Sequence, residues 1–124
     1  MIEALKGFPD GVAAFAAKGR VTRQDYETVL IPALEQAFRA PGKLRCYYEL
    51  GPDFAGMDAG AMWEDFKVGV EHLSRWERVA LVTDVDWIRH GMNLFRFLVP
   101  GGMRVFPTSQ TAEARRWVAS EGAR

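Results

Sequence analysis

The run Val79-Ala80-Leu81-Val82 constrains this chain most, because four consecutive apolar residues without polar alternation describe a strand covered on both faces. Such a strand, spanning residues 78–83, needs helices above and below it. The rest of the chain supplies them in alternation. Residues 1–6 alternate weakly between apolar and polar, Phe8-Pro9-Asp10-Gly11 is a turn cluster, and the Ala-rich residues 12–20 read as a second strand, so a β-hairpin opens the chain. Thr22-Arg23-Gln24-Asp25 resembles a capping box, after which Tyr26, Val29, Leu30, Ala33, Leu34, Ala37 and Phe38 recur at helical spacing. Pro32 should remove one backbone bond and kink that helix, and Pro41-Gly42 ends it.

Residues 43–50, rich in Tyr, Leu and Cys, read as a strand, and residues 51–58 as a loop by their Gly, Pro and Asp content. Asp58 is placed to cap a second helix with the stripe Met62, Phe66, Val70 and Leu73. A third helix covers residues 85–99, Pro100-Gly101-Gly102 breaks the chain, and Met103-Arg104-Val105-Phe106 makes a short last strand. Thr108 or Ser109 should then cap a closing helix through Trp117 and Val118. The order ββαβαβαβα predicts an α/β fold: a mixed, largely parallel sheet opened by a hairpin and backed by about four helices on right-handed crossovers. Repeats and linkers are absent, so residues 1–124 are expected to form a single domain.

The helix of residues 85–99 is apolar around more than one face. At about 100° per residue, Arg89, Asn93 and Arg96 share one narrow polar strip, and the apolar residues spread over an arc of roughly 220° interrupted only by His90. A stripe somewhat wider than about 100° suffices to cover a core. Leu94, Phe97 and Trp87 therefore offer more apolar surface than the core needs. A second subunit in a homodimer, a membrane or lipid surface, an apolar small molecule, or a neighbouring element of the same fold would cover the excess. Trp63 and Phe66 on the preceding helix are candidates to border a shared apolar groove with it.

Composition narrows the classes. Sixteen basic and sixteen acidic residues cancel without long runs of either sign, which argues against a nucleic-acid binder and against membrane attachment by charge alone. No apolar run approaches the roughly 20 residues of a transmembrane segment, and the N-terminal residues lack a secretory signal pattern, so a cytoplasmic protein, at most peripheral to a membrane, is expected. The single cysteine, Cys46, lies in an apolar run and reads as a buried thiol.

Candidate chemistry is sparse. Glu49, Asp53, Asp58, Asp84 and Asp86 fall after predicted strands, where open α/β sheets bind ligands, yet helix capping and turn chemistry explain most of them. His72 and His90 have no second His or Cys at ligand spacing, and a capping or packing role suits each better. Gly51, Gly56 and Gly60 are too widely spaced for a phosphate loop. No catalytic residue, metal or cofactor is expected.

Tyr48-Glu49-Leu50-Gly51-Pro52-Asp53-Phe54, Gly60-Ala61-Met62-Trp63-Glu64-Asp65 and Thr83-Asp84-Val85-Asp86-Trp87-Ile88-Arg89-His90 resemble the short stand-alone bacterial proteins called SpoIIAA-like, over almost the whole chain. The resemblance implies a fold similar to STAS and CRAL-TRIO lipid-transfer domains, and two functional precedents. In true anti-sigma-factor antagonists a Ser following an Asp at the start of the second helix is phosphorylated; here the matching pair is Asp58-Ala59, which offers no hydroxyl. The lipid-transfer relatives engage apolar ligands or membranes.

The leading expectation is a non-enzymatic binding domain engaging an apolar small molecule, a lipid or a membrane surface through Trp63, Phe66, Trp87, Leu94, Phe95, Phe97 and Leu98. One alternative is a protein-interaction module centred on Asp58 and Ala59, working without phosphorylation. Another is an enzyme using Asp84, Asp86 and His90.

Overall fold

The computed structural model describes residues 1–9, 11–39, 42–58, 60, 67, 75–95 and 102–120, with only the backbone of 53, 57 and 91–95. Its strands are β1 (Ile2–Ala4), β2 (Val12–Val21), β3 (Leu44–Met57), β4 (Trp76–Thr83) and β5 (Met103–Phe106). They form one sheet in the order β1-β2-β3-β4-β5. β1 and β2 are the antiparallel opening hairpin, and every later pairing is parallel. This is the mixed, largely parallel sheet expected from the alternation of strands and helices.

The first crossover begins with α1 (Arg23–Asp25), where Thr22 and Asp25 close the capping box anticipated from sequence. A π-helical turn (Tyr26–Leu30) follows and runs into α2 (Ile31–Phe38). Pro32 stands in the first turn of α2, where a missing N–H is tolerated, and the Ile31 N–H reaches back to the Tyr26 carbonyl in the wider π register. The expected kink is thus a change of helix type just before the proline. Gly60 and Lys67 are helical, between β3 and β4. The third crossover is α3 (Asp86–Phe95), and a 3-10 turn (Thr108–Gln110) leads into the closing helix α4 (Thr111–Ala119).

Side chains separate by parity into two cores, as the period of two in a strand requires. Phe15 of β2, Cys46, Tyr48 and Leu50 of β3 and Leu81 of β4 pack with Tyr26, Leu30 and Leu34 of the first crossover and with Ile88 of α3. Cys46 is buried there, as its apolar neighbours suggest. Ala14, Tyr47, Ala80, Val82 and Phe106 face the other way, against Ala114 and Val118 of α4. The apolar run of β4 is buried on both sides because each side has a helix layer.

Two expectations fail. Residues 51–58 are not a loop: β3 continues to Met57, paired with β2 through Phe54, Gly56 and Met57, and register shifts beside Gly19 absorb the extra residues. β3 pairs with β4 only as far as Leu50, so Pro52 lies where β3 has a single ladder partner, the position at which a sheet tolerates a missing N–H. Gly19 and Gly56, with φ of 59° and 134°, supply the left-handed backbone this irregular pairing needs. Neither Thr108 nor Ser109 caps α4; Gln110 precedes it without a side-chain bond, because Thr108 is engaged elsewhere.

The far end of α4 is held by arginines from the sheet. Arg78 Nη1 donates to the carbonyls of Trp117 (2.8 Å) and Ser120 (3.1 Å), and Arg45 Nη1 to those of Val118 (3.1 Å) and Ser120 (2.9 Å). Glu77 accepts from Arg45 Nε at 2.5 Å. A helix ends in carbonyls without intrahelical partners and a partial negative charge, and two guanidinium groups satisfy both.

Candidate functional site

The carboxyl ends of β4 and β5 gather the polar groups that set the start of α3. Thr83, fully buried, accepts the Val85 N–H on its hydroxyl at 3.1 Å. Its carbonyl accepts from Arg89 Nη1 at 3.2 Å, one turn into α3. Asp84 reaches across to the next strand end, where one carboxylate oxygen accepts the Thr108 N–H at 3.0 Å and the other accepts the Thr108 hydroxyl in a very short bond. These bonds tie the entries of α3 and α4 together.

Trp87 rises from this fixed turn with 53% of its surface exposed, and Met1 is the other exposed large apolar side chain among the described residues. Ile88, the next residue, is buried in the core. Asp84 and Asp86, both just before Trp87 in sequence, are exposed, and His90 is exposed further along α3. The packing role expected of His90 is therefore not seen. Among the described residues no group of three or more His, Cys, Asp or Glu is placed to hold a metal ion, and none of the described helices is long and apolar enough to cross a membrane.

Of the residues singled out for apolar contact, Trp87 stands where the sequence places it, outside the core. The backbone of Leu94 and Phe95 is helical, while their side chains, and Trp63, Phe66, Phe97 and Leu98 altogether, lie outside the described residues. Asp58 is half-buried just past β3, its N–H donating to the Val21 carbonyl at 3.1 Å. Ala59 lies outside the described residues, and a Cβ on Gly60 would meet Arg23 Cβ at 3.1 Å, so the helix start here approaches α1 closely.

The sequence matches the family model described as SpoIIAA-like over residues 12–119. The chain belongs to the SpoIIAA-like family. Five chains of solved structures match it as well. One is an uncharacterized protein of the DUF3478 family from Shewanella loihica PV-4, described as having a SpoIIAA-like fold. It is 24% identical with a TM-score of 0.74, over 95% of this chain and 92% of that one. No curated protein matches the sequence. The SpoIIAA-like assignment agrees with the sheet order and with the resemblance in residues 48–54 and 83–90, and the likeness to the solved structure bears on fold alone.

In this SpoIIAA-like domain the Asp84 to Thr108 tie carries a pH signature. Hydrogen bonds from the Thr108 hydroxyl and N–H hold the Asp84 carboxyl below its ordinary value against the opposing effect of desolvation, with a lesser contribution from Arg89. Its folded pKa is lower than its unfolded one, so its contribution to stability is present above about pH 4 and lost as pH falls through the folded value. Thr108→Val should lower stability at neutral pH, and the difference from wild type should shrink in urea titrations near pH 3. A pH-independent difference would show that the hydroxyl acts by packing instead.

Sequence reasoning did not find this tie, nor the arginines at the end of α4. The signal available for Arg45 and Arg78 was their position in strands, on the same parity as the core residues Tyr47 and Ala80. A charged residue on an inward parity needs a partner inside the fold.

Proposed function

We propose that the chain is a binding domain without catalytic chemistry of its own, and that it meets an apolar partner through the first turn of α3, anchored by Trp87. The observation that carries this reading is the 53% exposure of Trp87 on a turn whose backbone is fixed by Thr83, Asp84, Arg89 and Thr108. A large aromatic held in water on a rigid turn gives contact area at small entropic cost, which is why tryptophan dominates interface energetics. Burying it would contribute about 1.5–3 kcal/mol, enough to anchor a weak complex when neighbouring apolar groups join.

The charges beside it narrow the partner. Exposed Asp84 and Asp86 would repel an anionic bilayer, whereas an uncharged apolar molecule, a zwitterionic lipid or an apolar patch on a protein escapes that penalty. Leu94, Phe95, Phe97 and Leu98 extend the same contact by their place in the sequence, and Trp63 and Phe66 would border it from the preceding helix. Self-association through this face would make a homodimer. A second reading, a protein-interaction surface around Asp58, draws on family membership; with alanine at position 59 it would work without phosphorylation.

The test is a titration of the protein with dodecylphosphocholine monomers, followed by the four tryptophan indole N–H resonances and assigned with a Trp87→Phe variant. The expected result is a saturable shift of the Trp87 signal while that of Trp76, buried in the core, stays in place. An unmoved Trp87 signal would count against the apolar-contact reading. Loss of a protein partner on substituting Asp58 but not Trp87 would favour the second one.

A further inference from the structure

β5 closes the sheet on one side: its strand neighbour is β4, and among the described residues no strand pairs with its outer edge. An edge strand presents a row of backbone donors and acceptors that a further strand can use. Arg104 stands within this edge, exposed, with its guanidinium 4.7 Å from the ring centroid of Phe106 and 5.4 Å from that of Trp117. Among the described residues no carboxylate is paired with it. Stacking restrains the planar group, so less entropy remains to be lost when its donors are used.

We propose that the outer edge of β5 takes up an extended, acidic segment of a partner protein as an added strand, with a partner carboxylate seated on Arg104. Main-chain bonds to the edge supply affinity, and the guanidinium fork supplies the choice of charge. A second copy of this chain fits less well. Antiparallel pairing of β5 with itself about a two-fold axis puts both Arg104 side chains on one face of a short overlap, and like charges so placed repel. A bilayer offers the edge no backbone partners. The inference rests on residues other than Trp87, and either reading can fail alone.

The experiment titrates the full chain with a short capped peptide of alternating Glu and Val, and with its Lys-Val counterpart. Peptide anisotropy and amide hydrogen exchange of Met103–Phe106 are the readouts. The Glu-Val peptide should bind, slow exchange in β5 and weaken with added salt, while the Lys-Val peptide should not bind. Arg104→Glu should reverse the preference, with roughly tenfold or greater loss for the acidic peptide, and Trp87→Ala should leave binding unchanged. Three results would overturn the proposal: no protection of β5 amides at millimolar peptide, equal binding of both peptides, or concentration-dependent protection of β5 without peptide, which would assign the edge to a second copy.

Discussion

Phe106→Ala should lower the unfolding free energy by about 3–5 kcal/mol and the thermal midpoint by roughly 10–20 °C. Phe106 is 2% exposed and fills the space between β5 and α4, with Tyr47, Val82, Ala114 and Val118 in the same cluster and the Trp117 ring centroid 6.0 Å away. The neighbours contributed by Ala80 and Ala114 are small, so they cannot reach in to fill the void. A cavity should persist, and the loss should fall near the upper part of the range for such truncations. Urea unfolding at neutral pH is the check, and a loss under about 1.5 kcal/mol would mean that α4 collapses onto the sheet. Since domains of this kind are stable by about 5–15 kcal/mol in all, the variant should be close to its limit at physiological temperature.

Arg78→Ala should cost about 3 kcal/mol, by a different route. Arg78 is 7% exposed, and its two bonds to the Trp117 and Ser120 carbonyls satisfy acceptors at the end of α4, while its guanidinium lies 5.3 Å from the Trp117 ring. Truncation leaves the Trp117 carbonyl with only the long 3.4 Å bond from the Ser120 N–H and the Ser120 carbonyl with Arg45 alone, and removes a cation from the negative end of a helix. Hydrogen exchange should show the effect as faster opening of residues 116–120 relative to the start of α4. Arg78→Lys should recover only part of the loss, because one ammonium lacks the planar fork and its stacking on Trp117. Uniform destabilisation of the whole domain, with no excess opening at the end of α4, would contradict this account of the clamp.

What the sequence revealed and what it concealed follow from the range of the interactions. The strand through Val79-Ala80-Leu81-Val82, the capping box of Thr22 with Asp25 and the short strand Met103–Phe106 rest on local periodicity or on contacts between near neighbours, and all three are legible. Gly51-Pro52-Asp53 looks like a turn because each residue favours one. The long β2 ladder overrides that preference by placing the proline where no second partner is required. The bond between Asp84 and Thr108 spans 24 residues of sequence, and the bonds from Arg45 to the end of α4 span more than 70. No local rule anticipates such pairs. Thr108 was expected to cap a helix because threonine before a helix so often does, and a carboxylate from the neighbouring strand end took its hydroxyl instead.

Of the candidate site, the sequence makes one feature legible, an aromatic outside the core. The excess apolar arc in residues 85–99 marks Leu94, Phe97 and Trp87 as surface the core does not need; of the three, Trp87 has its side chain among the described residues and is exposed, while Ile88 beside it is buried. Sequence could not show that Thr83, Asp84, Arg89 and Thr108 hold the turn beneath it, since those groups come from the end of β4, the residue after it, α3 and the 3-10 turn that follows β5. Such support distinguishes a fixed anchor from an aromatic on a loose loop. It also separates stability from function, because an exposed side chain can be removed with little effect on folding.

The most direct test is a native mass spectrum of the gently purified protein set beside that of Trp87→Ala, after melts have shown the two to be equally stable within about 0.5 kcal/mol. The account predicts that the wild-type chain carries an added mass, either an apolar molecule or a protein partner, and that the variant is bare. The same species in both spectra would contradict the claim that Trp87 anchors a partner.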